Sequence, residues 1–140
     1  MDALRRPLLA VLALGFVGTG TELLLIGHTE EWTQIIPLVI LAIGLVSVGA
    51  VALRPTRLAI QQFRVLMGLL VVAGVLGIVL HYRGNAEFEL EMRSTMAGLE
   101  LVWNSLTGAT PALAPGSLIP LGLVGLIAVH GIPPAGAGSD

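Results

Sequence analysis

From Pro7 to Gly27 the chain carries a single ionisable side chain, Glu22, in a stretch that is otherwise apolar, small or hydroxylic. About 20 such residues in helical form cross the roughly 30 Å hydrocarbon layer of a bilayer. Three further apolar runs follow, at about 35–53, 58–82 and 112–132. No water satisfies the backbone inside lipid, so runs of this kind are helical. The sequence therefore predicts an all-α integral membrane protein, with four transmembrane helices at about 7–27, 35–53, 58–82 and 112–132. Charged residues make up 11% of the chain, against about 25% in a soluble domain. That leaves no room for a separate soluble domain, and residues 1–132 read as one unit. A net charge of −2 gives no reason to expect nucleic acid as a partner. The absence of cysteine excludes disulfides, thiolate metal sites and a cysteine nucleophile.

Punctuation between the runs supports the division. Pro7 suits a first helical turn, where its missing N–H would be unpaired anyway. Arg5 and Arg6 resemble the head of a secretory signal, but the apolar run exceeds the 7–15 residues of such a segment and no small-residue cleavage site follows. His28 to Gln34 is a polar connector, with Trp32 as an interfacial aromatic. Arg54-Pro55-Thr56-Arg57 is a tight loop in which the proline stops the preceding helix. Gly84-Asn85 reads as a break, with Asn85 as an N-cap and Glu87 in the following first turn. Beyond it, Phe88, Met92, Met96, Leu99, Val102, Trp103 and Leu106 fall on one helical stripe, while Glu87, Glu91, Arg93 and Glu100 mostly fall elsewhere. That pattern predicts one amphipathic surface helix over about 86–106, lying on the membrane between the third and fourth spans. Residues 133–140, rich in Pro, Gly and Ala, read as a disordered tail.

All seven basic residues are arginine, and they are unevenly placed. Arg5, Arg6, Arg54, Arg57 and Arg64 fall on one side of the bilayer, Arg83 and Arg93 on the other. The positive-inside rule then predicts a cell-membrane protein with both termini cytoplasmic and the 28–34 turn and surface helix outside. Glu30, Glu31, Glu87, Glu89, Glu91 and Glu100 give the outer side an acidic face.

Three groups of residues are candidates for function. Gly15, Gly18, Thr19 and Glu22 share one helical face at i, i+3, i+4 and i+7. Small residues on a span permit close helix approach, and an ionisable residue within a span is costly enough to need a reason. Glu22 is expected to face the helix bundle or an oligomer interface, where it locks packing or lines an ion path. His28 and His81 fall at the same depth, with Glu30 and Glu31 nearby. Imidazole and carboxylate ligands could hold a metal, and two histidines a haem, although an interfacial histidine more often simply hydrogen-bonds. Arg54, Arg57 and Arg64 form a cytoplasmic, lipid-facing set that could meet anionic headgroups or snorkel. Met92 and Met96, one turn apart, could bind soft copper but more often fill gaps. No phosphate loop, nucleophile elbow or zinc-protease motif is present, and no half-to-half repeat suggests a carrier.

The sequence thus leads to a non-enzymatic membrane protein whose partners are the lipid bilayer and either copies of itself or a larger membrane complex. An oligomeric cation path through Glu22, or a haem- or metal-binding subunit using His28 and His81, are its rivals. No particular cofactor is implied. The arginine distribution makes a direct topological prediction: single cysteines at Ser94 and Ser139 should react with an impermeant thiol reagent from the outer and the cytoplasmic side respectively. Reaction of Ser94→Cys from the cytoplasmic side contradicts the assignment.

Overall fold

The computed structural model describes residues 2–108 and 112–132, with side chains from residue 4 onward. The described residues form helices and connecting turns only: α1 (Asp2–Leu25), α2 (Trp32–Leu53), α3 (Arg57–Met92), α4 (Gly98–Thr107), a 3-10 turn at Ala114–Ser117, and α5 (Leu118–Ala128). Three of them are long and apolar enough to cross a membrane, over Leu4–Leu25, Trp32–Leu53 and Arg57–Met92. At 1.5 Å per residue, the 22-residue helices α1 (counted from Leu4) and α2 measure about 33 Å and the 36-residue α3 about 54 Å.

Local chemistry sets the helix ends. Gly27, at φ +71°, closes α1 in a left-handed turn in which the His28 N–H bonds the Leu23 carbonyl at 2.9 Å and the Gly27 N–H bonds that of Leu24 at 3.2 Å. This satisfies carbonyls that a helix end otherwise leaves open. Thr56 caps α3, its hydroxyl accepting the Ala59 N–H at 3.2 Å. Pro7 lies inside α1, one turn from its start; there its missing N–H frees only a first-turn carbonyl.

The chain divides into two compact units that share α3. One comprises Met1–Leu70 and Leu121–Asp140, the other Val71–Pro120. In the first, the buried positions repeat at alternating steps of three and four: Leu9, Leu12 and Phe16 on α1; Leu41, Gly44, Val48 and Val51 on α2; Ile60, Phe63, Met67 and Leu70 on α3. This is the seam spacing of helices packed at shallow angles. Cross-contacts fix the directions. Arg5 meets Val51 and Phe16 meets Gly44, so α1 and α2 are antiparallel. Gly125 of α5 lies against Met67 of α3 and Leu12 of α1, and Gly15 lies against Leu121, so α5 runs antiparallel to both.

In the second unit, Gly74 and Gly77 of α3 take the 3-10 turn and the start of α5 at close range. A Cβ on Gly74 would lie 2.7 Å from Ile119 Cγ1 and 3.2 Å from both the Pro115 carbonyl oxygen and the Ile119 nitrogen, so side chain and backbone both pack on α3 here. Further along α3, buried Asn85 donates from Nδ2 to the Ser105 carbonyl of α4 at 2.8 Å. Ser105 in turn donates to the Leu101 carbonyl at 2.7 Å.

Two sequence expectations change. Gly84-Asn85 does not break the helix, and Asn85 is no N-cap. A glycine inside a helix costs about 1 kcal/mol, which a cooperative 36-residue helix absorbs, and the Asn85 side chain is engaged by α4. The break falls instead at residues 93–97, before Gly98 at φ +61°. The single surface helix over 86–106 is therefore the last turns of α3 plus the separate ten-residue α4. Of its stripe, Met96 is buried, under Arg93 and Asn104, whose nitrogens lie 4.0 and 3.4 Å from its sulfur. Phe88, Met92, Leu99, Val102 and Trp103 are exposed. The fourth apolar run forms a helix only over Leu118–Ala128, preceded by the 3-10 turn, because Pro115 and Gly116 interrupt the α-helical ladder.

The tightest α1–α2 contact yields a stability prediction. A Cβ on Gly44 would sit 2.8–3.1 Å from the Phe16 ring, which is itself 2% exposed and has nowhere to go. Gly44→Leu should destabilise the protein by about 1–3 kcal/mol, as overpacking does. Phe16→Ala, destabilising alone, should recover part of that loss in the double variant. The check is a thermal or SDS unfolding curve of the four proteins; strictly additive effects would show that the two residues do not touch.

Candidate functional site

The end of the first unit that carries the α1–α2 turn holds most of the candidates. The left-handed turn at Gly27 brings the chain round, and Gln34 then organises the start of α2. Its amide oxygen accepts the N–H groups of Glu30 at 2.9 Å and Glu31 at 3.3 Å, which would otherwise be orphaned at a helix N-terminus. Glu30, Glu31 and Trp32 are exposed and His28 is half-buried. The turn therefore presents two carboxylates and an indole outward from a backbone pinned at both sides.

The Gly15–Gly18–Thr19–Glu22 face splits in two. Gly15 is inside the unit, where its bare Cα admits Leu121 of α5. Thr19 is half-buried. Gly18 has nothing within 4 Å of where a Cβ would stand, and Glu22 is exposed. Helical spacing places Gly18 and Glu22 on the same flank as Val11, Leu14 and Leu25, all strongly exposed. In the described structure Glu22 is thus exposed and is not packed inside its own unit. Among the described residues its carboxyl makes no hydrogen bond or ion pair. A carboxyl left alone on an apolar flank is costly in lipid.

The two candidate histidines lie in different units. His28 belongs to the α1–α2 turn of the first unit and His81 to the α3 portion of the second. Among the described residues, no group of three or more His, Asp or Glu side chains is arranged to hold a metal ion. Methionines 92 and 96 likewise part, one exposed at the end of α3 and the other buried.

At the opposite end of the first unit the arginines divide by task. Arg5 donates to the Val51 carbonyl in the last turn of α2 at 2.9 Å. Arg64 donates to the carbonyls of Val129, at 2.9 Å, and Ile132, at 3.0 Å, just past α5. Each guanidinium thus meets the negative end of a helix dipole and carbonyls the helix cannot pair. Arg64, expected among the lipid-facing set, is half-buried and held by the protein, whereas Arg54 and Arg57 stay exposed. The clamps by Arg5 and Arg64 had no sequence signal beyond the count of cations near helix ends. No protein-family model, curated protein or solved structure matches the chain.

Proposed function

We propose that this is a non-enzymatic, four-span membrane protein that acts by lateral assembly, docking the Gly18–Glu22 flank of α1 against a second copy or another subunit. The observation that carries the reading is the exposed, unmatched carboxyl of Glu22 beside bare Gly18 on an apolar helix flank. Its setting supports it. Only 17%, 22% and 22% of the most apolar windows of the three long helices are buried inside the chain. Such surfaces are stable in lipid or against another apolar helix, and not in water.

In this reading α1 and α2 cross the bilayer fully. The apolar part of α3 crosses it, and its last turns, with Arg83, Glu87, Glu89 and Glu91, emerge outside. Residues 112–132 return as the fourth span, with the 3-10 turn packed on α3 in place of a longer helix. Helix α4 lies at the outer interface. Its exposed residues suit that position: Leu99, Val102 and Trp103 make one flank, and Glu100 and Thr107 lie on the next. Both termini are cytoplasmic, the arginine-rich end inside.

A second reading draws on the same carboxyl. Copies assembled around α1 would bring Glu22 side chains into a ring, and acidic rings select cations. Arg6 at the inner mouth of such a path opposes cation entry, which favours the structural reading. Glu22 decides between them. Since no internal partner holds it, Glu22→Leu should leave monomer stability within about 0.5 kcal/mol of wild type while weakening assembly. Purified wild type in liposomes should pass no mono- or divalent cation at either voltage sign. Flux that is present in wild type and abolished in a correctly assembled Glu22→Gln variant would replace the structural reading with the channel.

A further inference from the structure

We infer that the face of α3 between Leu58 and Leu69 seats one anionic phospholipid, its headgroup on Arg54 and Arg57 and one acyl chain in the groove below. The inference rests on the proposed membrane placement. Leu58, Gln61, Gln62, Val65, Leu66 and Leu69 line a shallow groove of about 320 Å³ on the outer face of the helix. Its composition is graded. The two amides stand near the helix start, where the glycerol and ester groups of a lipid lie, and everything deeper is aliphatic. From Leu58 to Leu69 the helix rises about 16 Å, close to half of the roughly 30 Å hydrocarbon layer. The groove is as long as one leaflet is thick.

The charge at its head is uncommitted. Arg5 and Arg64 are held by helix-end carbonyls, but Arg54 and Arg57, which flank the start of α3, are exposed. Neither has an ion-pair partner among the described residues; the ion pair found there joins Arg93 to Glu100. The described carboxylates of this unit, Glu22, Glu30 and Glu31, cluster around the α1–α2 turn. Glu22 stands 17 residues along α1 from Arg5, about 26 Å away by helical rise. Two exposed guanidinium groups with no ion-pair partner among the described side chains match a headgroup of net negative charge, and each can grip a phosphate through two donors. A zwitterionic lipid offers the phosphate but offsets it with its own cation. A second copy is a poor occupant. Copies inserted in the same orientation would bring Arg54 and Arg57 to the same depth across the contact, and like charges facing each other oppose association.

The test uses the full chain reconstituted in phosphatidylcholine vesicles, with trace spin-labelled phosphatidylglycerol or phosphatidylcholine of matched acyl chains. The motionally restricted fraction of each lipid gives their relative association constant. Phosphatidylglycerol should be preferred by roughly fivefold per engaged arginine, and the preference should collapse toward one in Arg54→Gln/Arg57→Gln. Val65→Trp, which fills the groove from an exposed position, should reduce it too, while Arg6→Gln should leave it nearly intact. Equal restriction of both lipids by wild type overturns the inference. So does an equal loss in Arg6→Gln, which would mean diffuse surface charge, or a Val65→Trp variant that changes oligomeric state with the lipid ratio unmoved, which would give the groove to a second copy. No restricted lipid of either kind would overturn the membrane placement itself, and the inference with it.

Discussion

Where Phe16 crosses Gly44, no Cβ stands between the ring and the α2 backbone, and the ring is nearly inaccessible. The same device recurs in the first unit at Gly125, against Met67 and Leu12, and at Gly15, against Leu121. In lipid, apolar side chains gain little by leaving one hydrocarbon surroundings for another, so close packing has to hold helices together. Glycine at a seam position lets a large side chain meet backbone over many short-range contacts, each small but collectively large. A seam spaced at three and four residues keeps those contacts in line along each helix.

With attraction confined to that seam, the remaining flanks of α1, α2 and α3 stay apolar and open. Polar groups inside each unit then have narrow tasks. Asn85 fastens α4 to α3 by bonding a main-chain carbonyl rather than a side chain. Arg5 and Arg64 fasten helix ends in the same way. A carbonyl cannot lose its acceptor through mutation of its residue, so these ties depend on one side chain each. Polar groups with no such task point outward, among them Glu22 at one end of the first unit and Arg54 and Arg57 at the other. Their exposure is the structural ground for reading them as contact groups.

Much of the helical architecture was legible in the sequence, because a continuous apolar run admits few alternatives in lipid. The runs at 35–53 and 58–82 each fall within one of the three long apolar helices, and the run at 7–27 overshoots the end of the first, at Leu25, by two residues. What escaped was governed by tertiary contact. Asn85 and Gly84 look like a helix end by propensity, yet Ser105, 20 residues further on, supplies the acceptor that makes Asn85 welcome inside α3. The stripe from Phe88 to Leu106 has a helical period, but the period does not say that Met96 turns inward while Phe88, Met92, Leu99, Val102 and Trp103 stay exposed. Arg64 reads as one more interfacial cation until α5 brings the Val129 and Ile132 carbonyls to it. At the candidate site, the shared face of Gly15, Gly18, Thr19 and Glu22 followed from spacing alone. Its division, with Gly15 covered by Leu121 and Glu22 left open, depends on where α5 lands.

The central claim is that the open half of that face is a protein contact and not a lipid surface. A photo-crosslinking amino acid at Gly18, compared with one at Val46 on the exposed side of α2, tests it in native membranes. The account predicts a discrete protein adduct from Gly18, to a second copy or to one other chain, and lipid adducts from Val46. Lipid adducts alone from Gly18, at expression levels where the protein is folded and membrane-inserted, would contradict it.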